Sequence, residues 1–337
     1  MILDTPGHPA RRAARRRPAL TGASIAYLLG VLAVWLAMRT FGDRHWLGTV
    51  LLLSPRWVFA GPLVVLWAWT LAARARIAAL ILGMATIFLL WLDLGLVVSM
   101  PHAGERTGNL RLLTCNIHRQ NLDAQRMLDY LEEVKPDVVA LQGWSEIHKN
   151  SLFQSGWDVS RLGELLLASR LPIISAVPIP FEEDPSIPLG EQGAAAIFEL
   201  QSTRGPVHLI NLHFASPHAG LNSMWSDLGA KLEANIRRRA QEWSLVEQMA
   251  DTRPGTLLVV GDFNTVPESP LFREHFSGLV DAFGARGFGL GYTYVVHTTQ
   301  LRIDHILGVD SVQFERCWVG PDVHAAHRPL IADIALP

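Results

Sequence analysis

Three apolar runs in the first hundred residues, at 20–38, 57–73 and 77–99, constrain this chain more than anything else in it. Each comes close to the ~20 residues that a helix needs to cross the hydrocarbon core of a bilayer. The second run is short and carries Pro62; the third carries Asp93 near its outer end, where a carboxylate costs less than at the bilayer centre. A cleaved signal peptide is the competing reading of the first run. The arginine-rich leader ahead of it and the two apolar runs behind it favour a retained anchor. Residues 1–19 therefore read as a basic cytoplasmic leader, and residues 20–100 as a membrane region of three helices.

Charge sets the expected orientation. Arginine beside membrane helices tends to stay cytoplasmic, and it concentrates in the leader (Arg11, Arg12, Arg15, Arg16, Arg17) and in the tight connector Arg74 and Arg76. With both inside, the chain crosses three times and its larger part lies outside the cytoplasmic membrane. Arg39, Arg44 and Arg56 in the opposite loop work against this orientation. Residues 1–100 hold ten Arg, no Lys and three acidic residues, a net charge of +7; the whole chain carries −2, so the remainder carries −9. An acidic domain is a poor partner for a polyanion, because nonspecific nucleic-acid affinity rests on Lys and Arg displacing counterions from phosphates.

Residues 101–109, with Gly, Pro and polar side chains, read as a linker, and a soluble domain spans 110–337. Within it, strand-like apolar runs recur at 110–115, 138–141, 164–169, 194–200, 207–213, 256–261, 303–309 and 329–335. Helical spacing is present at 123–134 and 230–250. In the second, Ile236, Ala240, Trp243, Val246 and Ala250 form an apolar face, with Arg237, Arg238, Arg239 and Glu242 on the others. Short strands outnumber helices without βαβ alternation, which predicts an α+β fold with two packed sheets and helices outside them. Cys115 and Cys317 match no zinc-ligand spacing and read as two small buried apolar residues, a disulfide being the alternative in an oxidising compartment.

Several of these runs end on residues able to do chemistry. V-V-G-D-F-N-T, 259–265, presents Asp262 and Asn264 after an apolar strand. A carboxylate there accepts a proton from water and a carboxamide donates to an oxyanion; the alternative is a turn in which both bond nearby backbone. R-I-D-H-I-L, 302–307, and H-R-P-L, 327–330, offer Asp304 to orient His327, or else place Asp304 and His305 on the surface at a strand end. N-L-H-F-A-S-P ends a run at His213, and C-N-I-H ends another at Asn116 and His118.

Taken in order, T-C-N-I-H, D-V-V-A-L-Q, L-A-S-R-L-P-I, N-L-H-F-A-S-P, G-D-F-N, R-I-D-H-I-L and H-R-P-L resemble the signature segments of the endonuclease/exonuclease/phosphatase, or deoxyribonuclease-I-like, superfamily. The resemblance implies a four-layer αββα sandwich and hydrolysis of a phosphodiester or phosphomonoester with a divalent cation, usually Mg2+. It implies that Asp262 activates or positions water and that Asn264 holds the phosphate. Asp304 and His327 would stabilise developing charge, His213 would assist the phosphate or leaving group, and Asn116 would sit at the metal and phosphate end.

Two positions depart from the pattern. The family's L-Q-E segment here reads Leu141, Gln142, Gly143, and the acidic residue before the last histidine is Ala326. Both missing carboxylates belong to the family's metal site, and a hard cation prefers such ligands. Asn116 remains a candidate at the metal end and Glu146, three residues beyond Gly143, is the candidate replacement; His118, Asp322 and His324 are others, and histidine ligands would favour Zn2+ or Mn2+. The chain thus reads as a membrane-anchored phosphoesterase acting on a nucleic acid, a phospholipid headgroup or a phosphorylated small molecule, or as a pseudoenzyme that binds a phosphorylated ligand or partner without turnover.

Overall fold

The computed structural model describes residues 9–99, 108–118, 123–145, 152–153, 155–182, 192–223 and 225–337. The expected linker 101–109 falls almost wholly outside these residues. Contacts divide the chain into two compact units, one of residues 1–40 and 55–96, the other of residues 41–54 and 97–337.

The first unit is helical. Helix α1 (Pro9–Thr40) is followed, after α2 (Trp46–Leu53) of the second unit, by α3 (Ala60–Ala73) and α4 (Arg76–Phe88). Three segments, Arg17–Thr40, Arg56–Ala73 and Arg76–Asp93, are long and apolar enough to cross a membrane. Pro62 lies in the first turn of α3, where its missing N–H has no helical partner to lose. Val31, Leu63, Leu82 and Leu89 pack together, and the buried face of α4 is Ala78, Leu82 and Ala85. The third apolar run is helical only as far as Asp93, in a π turn over Leu89–Asp93. Gly95, at φ +70°, then turns the chain out of the helix, and Val97 and Val98 form a strand instead.

The second unit is built of strands. In chain order these are β1 (Val97–Val98), β2 (Leu110–Asn116), β3 (Val138–Gln142), β4 (Asp158–Leu162), β5 (Leu165–Ser169), β6 (Ile173–Ile179), β7 (Ala194–Ser202) and β8 (Gly205–His213). They continue as β9 (Thr256–Asp262), β10 (Val280–Asp281), β11 (Phe288–Gly289), β12 (Tyr294–Val296), β13 (Thr299–Leu301), β14 (Asp304–Gly308), β15 (Gln313–Val319) and β16 (Leu330–Ala335). Two six-stranded mixed sheets result, ordered β15-β16-β2-β3-β5-β4 and β10-β14-β9-β8-β7-β6. Each contains one parallel pair, β2 with β3 and β8 with β9, joined through a crossover helix. The crossovers are α5 (Ala124–Val134) and α7 (Trp225–Asp251), the latter preceded by α6 (His218–Leu221).

Alternation along the strands sorts the core into three parts. Leu112, Val138 and Leu167 of one sheet meet Phe198, Leu209 and Val260 of the other. The opposite faces carry Leu113, Val139 and Leu166 against Met127, Tyr130 and Leu131 of α5, and Ile210, Leu257 and Val259 against Trp243 and Val246 of α7. On α7 the expected apolar face is present, but Arg239 and Glu242, expected on the polar faces, are buried and paired with other groups. Both cysteines are buried and free.

A polar bolt crosses the apolar layer between the sheets. The Gln142 amide donates to Asn211 Oδ1 at 2.7 Å and to Thr114 Oγ1 at 3.0 Å, while the Asn211 amide donates to the carbonyls of Leu141 and Leu166, each at 3.2 Å. Asn211→Ala leaves these buried groups short of partners and is expected to cost about 1–3 kcal/mol. The check is the denaturation temperature of the full chain in detergent, which should fall; an unchanged value would remove Asn211 from this role.

Candidate active site

Strand pairing brings the chemical residues together. Asp262, the last residue of β9, is the Cα partner of His213 at the end of β8 and of Asp304 at the start of β14. In the other sheet Asn116, the last residue of β2, lies opposite Gln142 of β3. The Asn116 amide then spans the two sheets, donating to Asp262 Oδ2 at 2.8 Å. His213 Nε2 lies 3.5 Å from that same oxygen and His327 Nδ1 lies 3.7 Å from it. All six residues proposed from the sequence, Asn116, His213, Asp262, Asn264, Asp304 and His327, are buried.

The loop after β9 is fixed by its own sequence. Phe263 turns into an aromatic cluster with Phe214, Phe272, Phe276 and His305, which leaves its two neighbours on the other side. Asn264 adopts the left-handed conformation, φ +49°, that asparagine tolerates better than most residues. Its backbone N–H donates to Asp262 Oδ1 at 2.8 Å, and its amide donates to the Phe214 carbonyl at 2.8 Å. The turn and the site are therefore the same object.

Asp304 and His305 are not surface residues. Asp304 Oδ2 meets His327 Nδ1 at 2.8 Å, and the Asp304 backbone N–H donates to Thr293 Oγ1 at 3.2 Å. His305 points into the aromatic core, where its Nε2 donates to the Thr265 carbonyl at 3.0 Å. Burial pushes its imidazole down to about 4, so it packs there as a neutral ring.

One participant escaped the sequence. Glu164, in the β4–β5 turn, places Oε1 2.7 Å from His213 Nδ1. The site thus contains two histidine–carboxylate pairs, His213 with Glu164 and His327 with Asp304, on either side of Asp262. Burial alone would push the His213 imidazole down; Glu164, then Asp262 and Asp304, outweigh it and raise the group to about 9. For His327 burial again opposes the shift, and Asp304 and Asp262 hold it above its ordinary value. Burial raises the Asp304 carboxyl, with His327 working against it. The Tyr294 ring stands edge-on to His327, with centroids 5.2 Å apart. Glu164 carries no strand-end signature, and only its position one residue before an apolar strand could have pointed to it.

Asp262, Asp304 and His327 offer ligand atoms that all lie within 4.8 Å of one another. Asp304 Oδ1 is buried without a hydrogen-bond partner among the described residues, a spare oxygen of the kind a hard divalent cation takes. These residues fit a metal ion. Asn116 joins this cluster, whereas Glu146 lies outside the described residues. His118 is exposed and its backbone N–H donates to Asn116 Oδ1; Asp322 bonds the His324 backbone, and the His324 ring meets Arg126. Gly143 has φ +69°, and a Cβ there would stand 3.0 Å from His118 Cα and 3.1 Å from Asn116 Oδ1. The backbone at that point is shaped for glycine.

A fold of two mixed sheets with a buried Asp, Asn and His site at their strand ends defines a class, and comparison with known proteins names it. The model of the Endonuclease/Exonuclease/phosphatase family matches residues 113–329, more than half of the chain, and the chain belongs to that family. It is similar in structure to an endonuclease/exonuclease/phosphatase from Bacteroides vulgatus, with 17% identity and a TM-score of 0.53 over 68% of this chain and 99% of that one. D. rerio TDP2 complexed with single strand DNA product gives 16% and 0.51 over 67% and 98%. A family protein from Bacteroides thetaiotaomicron gives 16% and 0.50 over 68% and 98%. At these identities the likeness is one of fold. No curated protein matches the chain.

The raised His213 has a pH signature. A histidine held above its ordinary 6.5 stabilises the fold fully below that value, and the contribution is lost as pH rises through about 9. Glu164→Gln removes the largest favourable charge and leaves only Asp262 and Asp304 to oppose the downward push of burial. The His213 ring titration followed by NMR should move from near 9 to lower pH, and the loss of stability between 6.5 and 9 should flatten. An unmoved midpoint would separate Glu164 from His213.

Proposed function

We propose that this chain is a membrane-anchored hydrolase that cleaves a phosphodiester or phosphomonoester by metal-assisted attack of water. The observation that carries this reading is the pair of buried histidine–carboxylate couples flanking Asp262. Asp262 takes the proton of the attacking water. Asn264 and Asn116 hold phosphate oxygens. His327, oriented by Asp304, meets the charge that develops on the phosphate, and His213, kept protonated beside Glu164, gives its proton to the leaving oxygen. Asp262 and Asp304, with Asn116 beside them, would hold the cation, Mg2+ before Mn2+ or Zn2+, which would polarise the phosphoryl oxygen as a Lewis acid.

We take the two sheets and their outer helices to be the four-layer αββα sandwich of deoxyribonuclease-I-like proteins. The basic leader and the Arg74 and Arg76 connector favour the cytoplasmic side, which assigns the hydrolase unit to the outer side of the cytoplasmic membrane. Its acidic charge suits a phospholipid headgroup or a phosphorylated small molecule at least as well as a nucleic acid. A second reading, a phosphate-binding pseudoenzyme, is favoured by one observation, the left-handed backbone at Gly143 where the family has a carboxylate.

The test is hydrolysis of bis-para-nitrophenyl phosphate by the full chain in detergent with Mg2+, Mn2+ or Zn2+. Asp262→Ala and His327→Ala are each expected to lower turnover by about 10²- to 10⁴-fold, and chelation should abolish it. Folded protein without turnover on this ester, a phosphomonoester, a phospholipid or an oligonucleotide, but with measurable phosphate binding, would establish the pseudoenzyme.

A further inference from the structure

Residues 41–54 connect the first two apolar helices, yet they belong to the hydrolase unit. Asp43 is buried, and its carboxylate is the hub of the contact. Oδ2 lies 3.0 Å from Arg239 Nη2 on α7, itself buried, and accepts from Ser269 Oγ at 2.5 Å and from Thr265 Oγ1 at 3.3 Å. Oδ1 accepts the Leu271 N–H at 3.3 Å at the start of α8 (Pro270–His275), the helix that Ser269 caps.

The neighbouring residues fit as closely. The Trp46 N–H donates to Glu233 on α7 at 3.0 Å, and a Cβ on Gly42 would stand 2.3 Å from the Pro270 ring. Gly42 is thus confined to glycine by the close approach of α8. Thr265 directly follows Asn264, so Asp43 holds the far side of the loop whose near side carries Asp262 and Asn264.

We infer that the connecting segment is a working part of the phosphoesterase, with Asp43 as a positioning residue for the Asp262–Thr265 loop. This rests on the proposed function for its catalytic meaning, though not for its structural one. Without Asp43 the buried Arg239 would lose the carboxylate that hydrogen-bonds it and keep only the nearby charges of Glu242 and Asp262 to offset its burial. The site therefore assembles fully only when the segment between the first two helices docks beneath it. A topological consequence follows: the segment lies on the same side of the membrane as the hydrolase unit. Between residues 54 and 97 the chain then crosses an even number of times, so 56–73 and 76–93 span together or not at all, and the more apolar 76–93 carries 56–73 with it. The short second span thereby gains support that hydropathy alone does not supply.

Three measurements on the full chain in lipid nanodiscs test this. First, Asp43→Asn should lower kcat by about 10- to 100-fold, as loss of an outer-shell partner does, with KM little changed, whereas Arg44→Ala, on an exposed ion pair with Glu274, should leave activity unchanged. Second, hydrogen exchange should rise at residues 263–272 in Asp43→Asn and in Thr265→Val, which breaks the direct link without exposing Arg239, while residues 138–142 stay protected. Third, with both native cysteines buried, Leu47→Cys and Ser311→Cys should react with an impermeant maleimide from one face of sealed vesicles and Arg76→Cys from the other. Unchanged exchange in both variants, or Leu47→Cys labelling from the face opposite Ser311→Cys, overturns the inference. A wild-type chain inactive on every ester would sink the phosphoesterase reading alone, since exchange and labelling still decide the role of Asp43.

Discussion

The pairing of β9 is the constraint on which the site depends. It runs parallel to β8 and antiparallel to β14, so the end of one, the end of the other and the start of the third fall in one row as His213, Asp262 and Asp304. A slip of one residue would send every side chain of β9 to the opposite face and exchange Asp262 for a core residue. Gly261 permits this fit. It has φ +133°, and a Cβ there would lie 2.0 Å from the Leu212 carbonyl, so β8 and β9 approach this closely only because residue 261 is glycine. The glycine of the G-D-F-N segment admits the backbone that this pairing requires, the aspartate follows it, and Phe263 anchors the turn.

Collecting carboxylates and imidazoles in one buried place is costly, and the structure offsets part of that cost by pairing many of their polar atoms, Asp304 Oδ1 excepted. Asp262 accepts from the Asn116 amide and from the Asn264 backbone; Asp304 and Glu164 each meet a histidine. Below them the Gln142–Asn211 bolt fixes one sheet against the other, which matters because Asn116 and Asp262 belong to different sheets. A shift between the sheets would open the Asn116–Asp262 contact directly. The site's geometry is therefore a property of how the two sheets pack, and no single loop determines it.

How much of this was legible in the sequence follows from where each element sits. The eight apolar runs correspond to β2, β3, β5, β7, β8, β9, β14 and β16, all shielded by neighbours that make their residues apolar. The long strands that escaped, β4, β6 and β15, lie at sheet edges, where exposed residues such as Val159, Ile174 and Val177 alternate irregularly with polar ones. The site residues at strand ends were readable because a polar residue terminating an apolar run is conspicuous. Glu164 and Asp43 were not, since each is an ordinary acidic residue in a turn whose partner is remote in sequence, His213 in one case and Arg239 in the other. Arg239 shows the limit of helical periodicity: the pattern places it on a polar face, while a carboxylate from 196 residues away makes that face part of the interior.

The balance of charge in the site bears on what it would bind. Three carboxylates, Glu164, Asp262 and Asp304, face two histidines that they hold above their ordinary values or, for His213, up to about 9. A glutamate at position 143, next to Asn116, and an aspartate at 326, next to His327 in the chain, would each add a negative charge that strengthens a cation's hold while repelling an anionic ester. On the proposed reading, with Gly143 and Ala326 instead, the site leans on His213, raised to about 9, and His327, held above its ordinary value, to meet phosphate oxygens and keeps fewer ligands for a metal. The left-handed backbone at Gly143, packed against His118 and Asn116, means that this balance is built into the chain's path and is not undone by exchanging one side chain. On the proposed reading, recognition of the phosphate therefore falls mainly to His213, His327 and the two asparagines, and a resident cation is held chiefly by Asp262 and Asp304, so its occupancy depends on those two carboxylates.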